Sequence, residues 1–258
     1  MKNNNKTDVR KKNAINNGIQ KLNKIFGNFV ISTLLSNKGV LLLFIHPDFR
    51  NLRNGTILYY KEPERSRIFD WIGKLKKSID LQLGYNEAYQ IYRTVQSVDK
   101  IKGDIAEIGV FEGGSARIIC EVKKRKTLHL FDTFEGLPKV SALDSAHFKK
   151  GQYNGPLKTV KKNLSLYKNI HYYKGLFPFT SGPVKNKKFS FVHLDVDIYS
   201  STKACLKFFY PRMSRGGVIM SHDYISANGV RKAFDEFFED KKEPIIEMSG
   251  SQCLIVKI

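Results

Sequence analysis

Cysteine is scarce in this chain of 258 residues, which contains only three. Cys120, Cys205 and Cys253 each stand alone in an apolar stretch, and no C-x-x-C pair occurs. This spacing excludes a disulfide framework. We therefore expect three buried, reduced thiols in a protein of the cytoplasm.

Hydrophobic runs are also short, and none reaches the about 20 apolar residues that a membrane-spanning helix needs. Residues 25–45 are apolar and follow a basic, asparagine-rich segment, 2–24, as in a signal peptide, but polar residues interrupt them and no small-residue cleavage site follows. We expect a helix over 25–36 and a short apolar element over 40–45. We expect these two elements to cover the core domain. The alternative is that residues 1–50 contact the inner face of a membrane.

Acidic residues are few, 24 against 44 lysines and arginines, which gives a formal charge of +20. The basic residues occur as scattered lysine pairs and form no single stripe with interleaved aromatics, so the charge argues against a nucleic-acid partner. A solvated lysine-rich surface is the first explanation for the positive charge. Binding of an anionic acceptor or of an anionic membrane surface is the second. The hydrophobic content of 41% is ordinary for a folded protein.

After residue 84 the sequence alternates between short apolar strands and amphipathic helices. The predicted strands are 104–108, 127–132, 170–173, 189–194 and 217–220, and the helices that accompany them are 85–98, 115–123, 156–167, 201–210 and 229–239. A further helix is predicted before this region, over 65–77. This alternation predicts a parallel sheet covered by helices on both faces.

The last two apolar segments, 245–248 and 252–258, are joined by Ser249 and Gly250, which predicts a hairpin that adds an antiparallel strand. A plain dinucleotide dehydrogenase lacks such an ending, whereas class I methyltransferases have it. The predicted fold is therefore α/β, a doubly wound, mostly parallel, seven-stranded, Rossmann-like sheet with a C-terminal antiparallel hairpin. We expect two domains: an N-terminal basic, helical extension over 1–83 and a class I methyltransferase domain over 84–258.

A dinucleotide fingerprint is absent, because Glu107 stands where G-x-G-x-x-G requires its first glycine. Gly109, Gly113 and Ser115 follow, and they let the backbone approach a ligand at a helix N-terminus. A carboxylate at this position repels pyrophosphate but suits a cationic ligand such as S-adenosylmethionine. The alternative is a tight strand-to-helix turn without a ligand.

Two further features favour a nucleoside ligand. The second strand ends at Asp132, whose carboxylate can accept hydrogen bonds from both hydroxyls of a ribose. The loop after the third strand contains Gly175 and Phe177, which could close over an adenine. The alternative is that Phe177 packs on the core.

Acidic side chains and a histidine follow the two apolar strands 189–194 and 217–220. They are Asp195, Asp197, His222 and Asp223. Carboxylates and an imidazole on adjacent strand ends can share one divalent cation, Mg²⁺ or Mn²⁺. Such a cation can hold two vicinal hydroxyls of a substrate and acidify one of them for attack on a methyl group. The structural alternative is that Asp195 caps the next helix and Asp223 ties a loop.

Ile198 stands three residues after Asp195, so no lysine at that position can act as the general base. Asp195 or His222 would then accept the proton. His193 lies within an apolar strand, and we expect it to be a buried core residue.

Several stretches together resemble the macrocin O-methyltransferase family (TylF/MycF-like), a branch of the class I enzymes that use S-adenosylmethionine to methylate sugar hydroxyls. They are GDIAEIGVFEGGSA (103–116), LFDTFEGLP (130–138), GPLKTVKKNLSLY (155–167), HLDVDIYSSTKACLKFFYPRMSRGGVIMSHDY (193–224) and GVRKAFDEFF (229–238).

The resemblance implies metal-dependent methyl transfer and a set of residue roles. Its metal ligands are Asp195 and the residues at 222 and 223; its cofactor contacts are Glu107, Gly109, Ser115 and Asp132, to which we add Gly113, Gly175 and Phe177. Phe134 and Glu135 lie near the acceptor, where we also place Asp197 and Tyr199. The family usually has a second aspartate at the position of His222, and a histidine there can still ligate Mn²⁺ or act as a base near neutral pH.

The predicted function is S-adenosylmethionine-dependent O-methylation of a sugar or glycosylated metabolite, assisted by a divalent metal, in a protein that can self-associate. A methyltransferase of nucleic-acid amino groups would have N-P-P-Y or D-P-P-Y where this chain has D-V-D-I-Y. The other alternative is an inactive methyltransferase fold that serves as a scaffold at a membrane surface or in polysaccharide assembly through residues 1–50.

Overall fold

The computed structural model describes residues 63–258 and the backbone of residues 30–36 and 39–45. The chain divides into two compact units, 1–66 and 67–258. The domain boundary that the sequence predicts between residues 83 and 84 stays a prediction. No helix in the described part of the chain is long and apolar enough to cross a membrane.

In the first unit, strands β1 (Val30–Ser36) and β2 (Gly39–Ile45) form an antiparallel hairpin with two residues between them. The helix expected over 25–36 is therefore wrong for residues 30–36, while 25–29 lie outside the described residues. β-Branched side chains such as Val30 and Ile31 favour a strand, and a short apolar run does not distinguish a strand from a helix by its period.

The second unit consists of helices on both sides of one sheet. Its helices are α1 (Pro63–Ser78), α2 (Tyr85–Ser97), α3 (Gly114–Val122), α4 (Leu157–Asn163), α5 (Tyr199–Phe209) and α6 (Asn228–Phe238). Helix α1 begins before residue 67, where this unit starts. Its strands are β3 (Asp104–Ile108), β4 (Leu128–Asp132), β5 (Ile170–Lys174), β6 (Phe189–Leu194), β7 (Met213–Ser221), β8 (Ile246–Glu247) and β9 (Cys253–Val256).

The sheet has the order β5-β4-β3-β6-β7-β9-β8. Strands β3 to β7 pair in parallel, whereas β9 is antiparallel to both β7 and β8. The predicted doubly wound, mostly parallel sheet with its antiparallel ending is confirmed. The chain winds outward in opposite directions from β3 and β6, so a crevice opens where these two strands end.

The core lies on both faces of the central strands. All six residues of β6 are buried, as expected for a parallel strand covered on both sides. Phe131, Phe189 and Phe209 are fully buried and lie close together, with Phe189 and Phe209 in an edge-to-face arrangement at 5.0 Å between ring centroids. The three cysteines are buried and free, as the sequence predicted.

Candidate active site

Gly109, directly after β3, packs against the backbone of Asp195, directly after β6. The N–H of Asp195 donates to the carbonyl of Ile108 at 2.9 Å. Gly109 has a φ of +83°, and a Cβ atom added to it would lie 1.8 Å from the carbonyl oxygen of Asp195. Only glycine therefore fits at this position, where the backbones separate to form the floor of a cleft.

The cleft has an empty volume of about 1090 Å³, which includes the open solvent at its mouth. Nine of the predicted site residues line it: Gly109, Ser115, Asp132, Gly175, Phe177, Asp195, Asp197, His222 and Asp223. Five do not: Glu107, Gly113, Phe134, Glu135 and Tyr199. Most of the predicted site residues therefore share one cleft, while the other five lie outside its lining, and their functional roles stay a prediction.

Asp132 braces the glycine loop from below. Its Oδ2 accepts the N–H groups of Val110 at 2.6 Å and Phe111 at 3.2 Å, while its Oδ1 accepts that of Phe134 at 2.6 Å. Burial raises the pKa of Asp132 in spite of these hydrogen bonds. The carboxylate lines the cleft while it holds the loop in shape, and its predicted contact with a ribose stays a prediction.

Glu107 does not face the cleft, contrary to the expectation from its position near the strand end. The side chain is fully buried, and its Oε1 lies 3.0 Å from Nδ1 of His193 on the neighbouring strand. Burial raises the pKa of Glu107, and the hydrogen bond and charge of His193 oppose this shift. Glu107 Oε2 and His193 Nε2 have no hydrogen-bond partner among the described residues. His193 is a core residue, as expected, but only half of its hydrogen-bonding capacity is used.

The other residues outside the cleft have structural partners. Gly113 precedes helix α3 with a φ of +86°, and Phe134 is buried. Glu135 is exposed and pairs with Lys174 at 2.8 Å. The hydroxyl of Tyr199 donates to Glu236 on helix α6 at 2.6 Å. Phe177 lines the cleft and also packs on the core, at 5.3 Å between its ring centroid and that of Phe209.

Backbone strain is concentrated around the cleft. Seven non-glycine residues in the described ranges have a positive φ, and four of them line the cleft: Phe111, Tyr153, Asp197 and Asp223. A left-handed backbone costs free energy at such residues and persists where the surrounding structure enforces it, often at functional sites.

The imidazole of His222 lies between two aspartates. Its Nδ1 is 3.2 Å from Oδ1 of Asp195 and 3.0 Å from Oδ2 of Asp223. One donor atom from each of the three side chains falls within 4.8 Å of the others. Carboxylates suit both Mg²⁺ and Mn²⁺, and an imidazole favours Mn²⁺ over Mg²⁺, so these residues fit one divalent cation.

The charges of the cluster shift several pKa values. Burial opposes protonation of His222, but Asp195, Asp223 and Glu87 outweigh it and raise the pKa of the imidazole well above its ordinary value. Burial also works against ionisation of Asp223, yet the hydrogen bond and charge of His222 lower its pKa. Asp197 differs, because burial and the neighbouring aspartates raise its pKa. A proton on Nδ1 excludes a metal ion from the same atom, so metal binding would release a proton.

Two residues near the cluster were missed from the sequence. Glu87, on helix α2, is buried and lies 3.5 Å from Nε2 of His222. A signal for it existed, since position 87 falls beside Ala88 and Ile91 on the apolar side of a predicted helix, where a carboxylate is out of place. Tyr153 lines the cleft from a loop whose sequence has no regular pattern.

A family model describes the greater part of this unit: that of the macrocin O-methyltransferases (TylF) matches residues 81–252. The chain belongs to the macrocin O-methyltransferase family. It is therefore an O-methyltransferase that uses S-adenosylmethionine as its methyl donor, in agreement with the prediction from its sequence.

Its relatives include two named O-methyltransferases. The 8-demethyl-8-(2,3-dimethoxy-α-L-rhamnosyl)-tetracenomycin-C 4′-O-methyltransferase of Streptomyces olivaceus is 26% identical over 224 residues, which cover 79% of this chain and 85% of the relative. The mycinamicin III 3″-O-methyltransferase of Micromonospora griseorubida is 28% identical over 162 residues, covering 55% and 64%.

The solved structure of the O-methyltransferase NovP has the same fold, with a TM-score of 0.59 at 22% identity over 69% of this chain and 81% of NovP. Both relatives and NovP are named for O-methyl transfer, and none of these names supports the scaffold alternative.

Proposed function

We propose that this enzyme methylates a hydroxyl group of a sugar or of a glycosylated small molecule, with the help of a divalent cation. One observation carries the proposal: Asp195, His222 and Asp223 converge at the edge of the same cleft that Asp132 and Ser115 line. Metal ligands and predicted cofactor contacts thus share one cavity. The two relatives above are named for methyl transfer to glycosylated molecules, which supports an acceptor of this class.

The cofactor occupies, in this proposal, the half of the cleft formed by the glycine loop. Gly109 and Ser115 form the floor, Asp132 accepts hydrogen bonds from the ribose, and Gly175 and Phe177 close the adenine end. When bound, S-adenosylmethionine supplies an electrophilic methyl group. The chain itself provides position and exclusion of water, which are the main requirements of a methyl transfer.

Asp195, His222 and Asp223 hold the cation, Mg²⁺ or Mn²⁺. When bound, it acidifies a hydroxyl that it contacts. Asp195 accepts the proton in our proposal, because its side chain is 25% exposed whereas that of His222 is 12% exposed. Both ring nitrogens of His222 already face carboxylates, at 3.0 to 3.5 Å, which makes the imidazole the second candidate for a base.

The acceptor lies on the side of Asp197, with Phe134, Glu135 and Tyr199 in supporting positions around it. An anionic acceptor agrees with the charge at the mouth. The N–H of Leu137 donates to the carbonyl of Gln152 at 2.8 Å, so two loop segments run side by side. They carry the exposed lysines 139, 149 and 150 next to Pro138, which lines the cleft. A phosphate on the acceptor would be attracted here.

A cytoplasmic location, contact of residues 1–50 with the inner face of a membrane, and self-association belong to the same proposal. They follow from the cysteine pattern and from the basic and apolar N-terminal sequence. Sedimentation of the full chain and of a variant without residues 1–50, each with anionic vesicles, tests the membrane contact.

The function is tested by incubating the protein with S-adenosylmethionine and a panel of acceptors, with products followed by mass spectrometry. The panel pairs free sugars and neutral glycosides with nucleoside-diphosphate sugars and includes RNA, each with Mg²⁺, with Mn²⁺ and with EDTA. We expect one methyl group to be added to a sugar-bearing acceptor, and EDTA to stop the reaction. Transfer that is unchanged by EDTA would refute the metal, and transfer to RNA alone would refute the acceptor class.

A further inference from the structure

Glu87 connects helix α2, the C-terminal turn and the metal cluster. Its Oε2 accepts the N–H of Gly84 at 2.6 Å, as a capping-box glutamate does. Its Oε1 accepts the backbone N–H and the hydroxyl of Ser251, at 2.8 and 2.9 Å. The same Oε1 lies 3.5 Å from Nε2 of His222. One buried carboxylate therefore contacts three separate segments of the chain.

The carboxylate cannot easily move away. Gly250 has a φ of +91°, and a Cβ atom added there would lie 2.5 Å from Oε1 of Glu87, so the turn packs directly against this oxygen. Gln90, one turn later on the same helix, donates from Nε2 to the carbonyl of Ser249 at 2.8 Å. These contacts fix the position of the acceptor oxygen before any ligand binds.

The arrangement has a consequence for the ring of His222. Its Nδ1 faces Asp195 and Asp223, whereas its Nε2 faces Glu87. An ionised carboxylate only accepts hydrogen bonds, so Glu87 requires a proton on Nε2. A histidine that binds a metal through one nitrogen commonly donates its other N–H to a carboxylate, which fixes both the tautomer and the ring orientation.

We propose that Glu87 is a positioning residue for His222: it holds the Nε2–H and so presents Nδ1 to Asp195, Asp223 and a cation between them. The inference rests on the proposed role of His222 at the cleft. An aspartate at position 222 would need no such partner, because a carboxylate has no tautomers. Glu87 thus supplies what the histidine at this position requires.

The competing explanation is that Glu87 only ties helix α2 to the C-terminal turn. Two variants separate these roles. Glu87→Gln keeps the shape but replaces one acceptor oxygen by a donor. Gln90→Ala removes the hydrogen bonds of Gln90 to Ser249 and Gln252 and leaves His222 untouched. The full-length protein is used throughout, with histidine labelled with ¹⁵N and the ring signals of His222 assigned from their loss in His222→Asn.

The first measurement is the Nε2–H signal of His222 by NMR, which requires neither metal nor cofactor. We expect a hydrogen-bonded Nε2–H in the wild type and in Gln90→Ala, and its loss or a large upfield shift in Glu87→Gln. An unchanged signal in Glu87→Gln would overturn the proposal. If Glu87→Gln does not fold, Glu87→Asp, whose carboxylate is shorter by one methylene, is judged by the same signal.

The second measurement is calorimetric titration with Mn²⁺. We expect Glu87→Gln to bind about 10- to 100-fold more weakly than the wild type, the usual effect of losing such an outer partner, and Gln90→Ala to bind as the wild type does. If Glu87→Gln binds Mn²⁺ as the wild type does but has a lower melting temperature, Glu87 only ties helix α2 to the C-terminal turn. Absence of Mn²⁺ binding in the wild type would refute the proposed metal, while the NMR signal would still decide the role of Glu87.

Discussion

Two histidines, one within β6 and one directly after the neighbouring β7, each face carboxylates but have different surroundings. His193 lies within β6, fully buried, with Glu107 as its partner, and its Nε2 has no hydrogen-bond partner in the described part of the chain. His222 directly follows β7, lines the cleft, and has carboxylates at both ring nitrogens. The residue types are the same, so the position relative to the strand end decides which pair a ligand can reach.

The difference also affects the charges. Burial raises the pKa of Glu107, and the hydrogen bond and charge of His193 only partly oppose this shift, so burial favours the protonated carboxyl of Glu107. At the cleft, burial is outweighed by His222, and the pKa of Asp223 is lowered. The cluster at the strand ends therefore keeps charged carboxylates where a cation or a hydroxyl binds, whereas the buried pair below it contributes to the interior.

The largest effect is expected from breaking the cluster at the cleft with Asp195→Ala. Methyl transfer should fall at least about 100-fold, the usual effect of removing one preorganised charged group from a reaction site. The melting temperature should change little, because the side chain is partly exposed and its loss relieves repulsion with Asp197. kcat/KM is measured beside that of Asp99→Ala, which removes a partly exposed partner of Lys124 outside the cleft lining. Near wild-type turnover in Asp195→Ala would remove this residue from the reaction.

The next effect concerns stability, from breaking the buried pair with Glu107→Leu. Removing Glu107 leaves both ring nitrogens of His193 buried without a hydrogen-bond partner among the described residues, which should lower the free energy of unfolding by about 3 kcal/mol, the upper end for an unsatisfied buried polar group. Urea denaturation measures the change. The double variant Glu107→Leu/His193→Leu should recover much of the loss, because an apolar pair needs no partners. A double variant as unstable as the single one would show that the two side chains do not compensate each other.

The sequence predicts the sheet well because its signals are local. Residues 189–194 are mostly apolar, interrupted only by Ser190 and His193, and all six are buried. Polar residues that directly follow such strands, Asp132, Asp195 and His222, line the cleft. Their placement requires only that parallel strands end at one edge of the sheet, and every doubly wound fold satisfies this condition.

Contacts between distant segments were not predictable in the same way. Glu107 turns toward His193, and this pairing depends on β3 lying beside β6, which the sequence order does not state. Glu87 approaches His222, which stands 135 positions later in the chain, through the packing of a helix on the sheet. Residues 30–36 form a strand because they pair with 39–45, whereas their short apolar run is equally compatible with a helix.

A third buried acid sharpens the comparison, because it lies outside the cleft and is fully partnered. Glu243 accepts from Tyr210 at 2.8 Å and pairs with Lys257. Burial opposes ionisation, but these bonds lower the pKa of Glu243 from its ordinary 4.5 to about 2. A lowered pKa stabilises the fold fully above about pH 4.5, and this contribution is lost as the pH falls toward 2.

Glu243→Gln should therefore be less stable than the wild type at neutral pH, by about 2 kcal/mol for a charge-assisted hydrogen bond, with methyl transfer retained. The difference in urea midpoint should shrink as the pH falls from about 4.5 to about 2. A difference that stays constant over this range would mean that the charge of Glu243 does not stabilise the fold.

The smallest effect is expected at the exposed pair of Glu135 and Lys174. Water screens their attraction, so neither Glu135→Ala nor Lys174→Ala should change the melting temperature measurably. Activity separates the two side chains. If Glu135 contacts the acceptor as predicted, Glu135→Ala raises KM for the acceptor at constant kcat, and Lys174→Ala does not. Equal changes in both variants would assign the effect to the ion pair itself, and no change in either would remove Glu135 from the acceptor site. The residue before it, Phe134, is buried, so only Glu135 of these two can report on contact with a bound sugar.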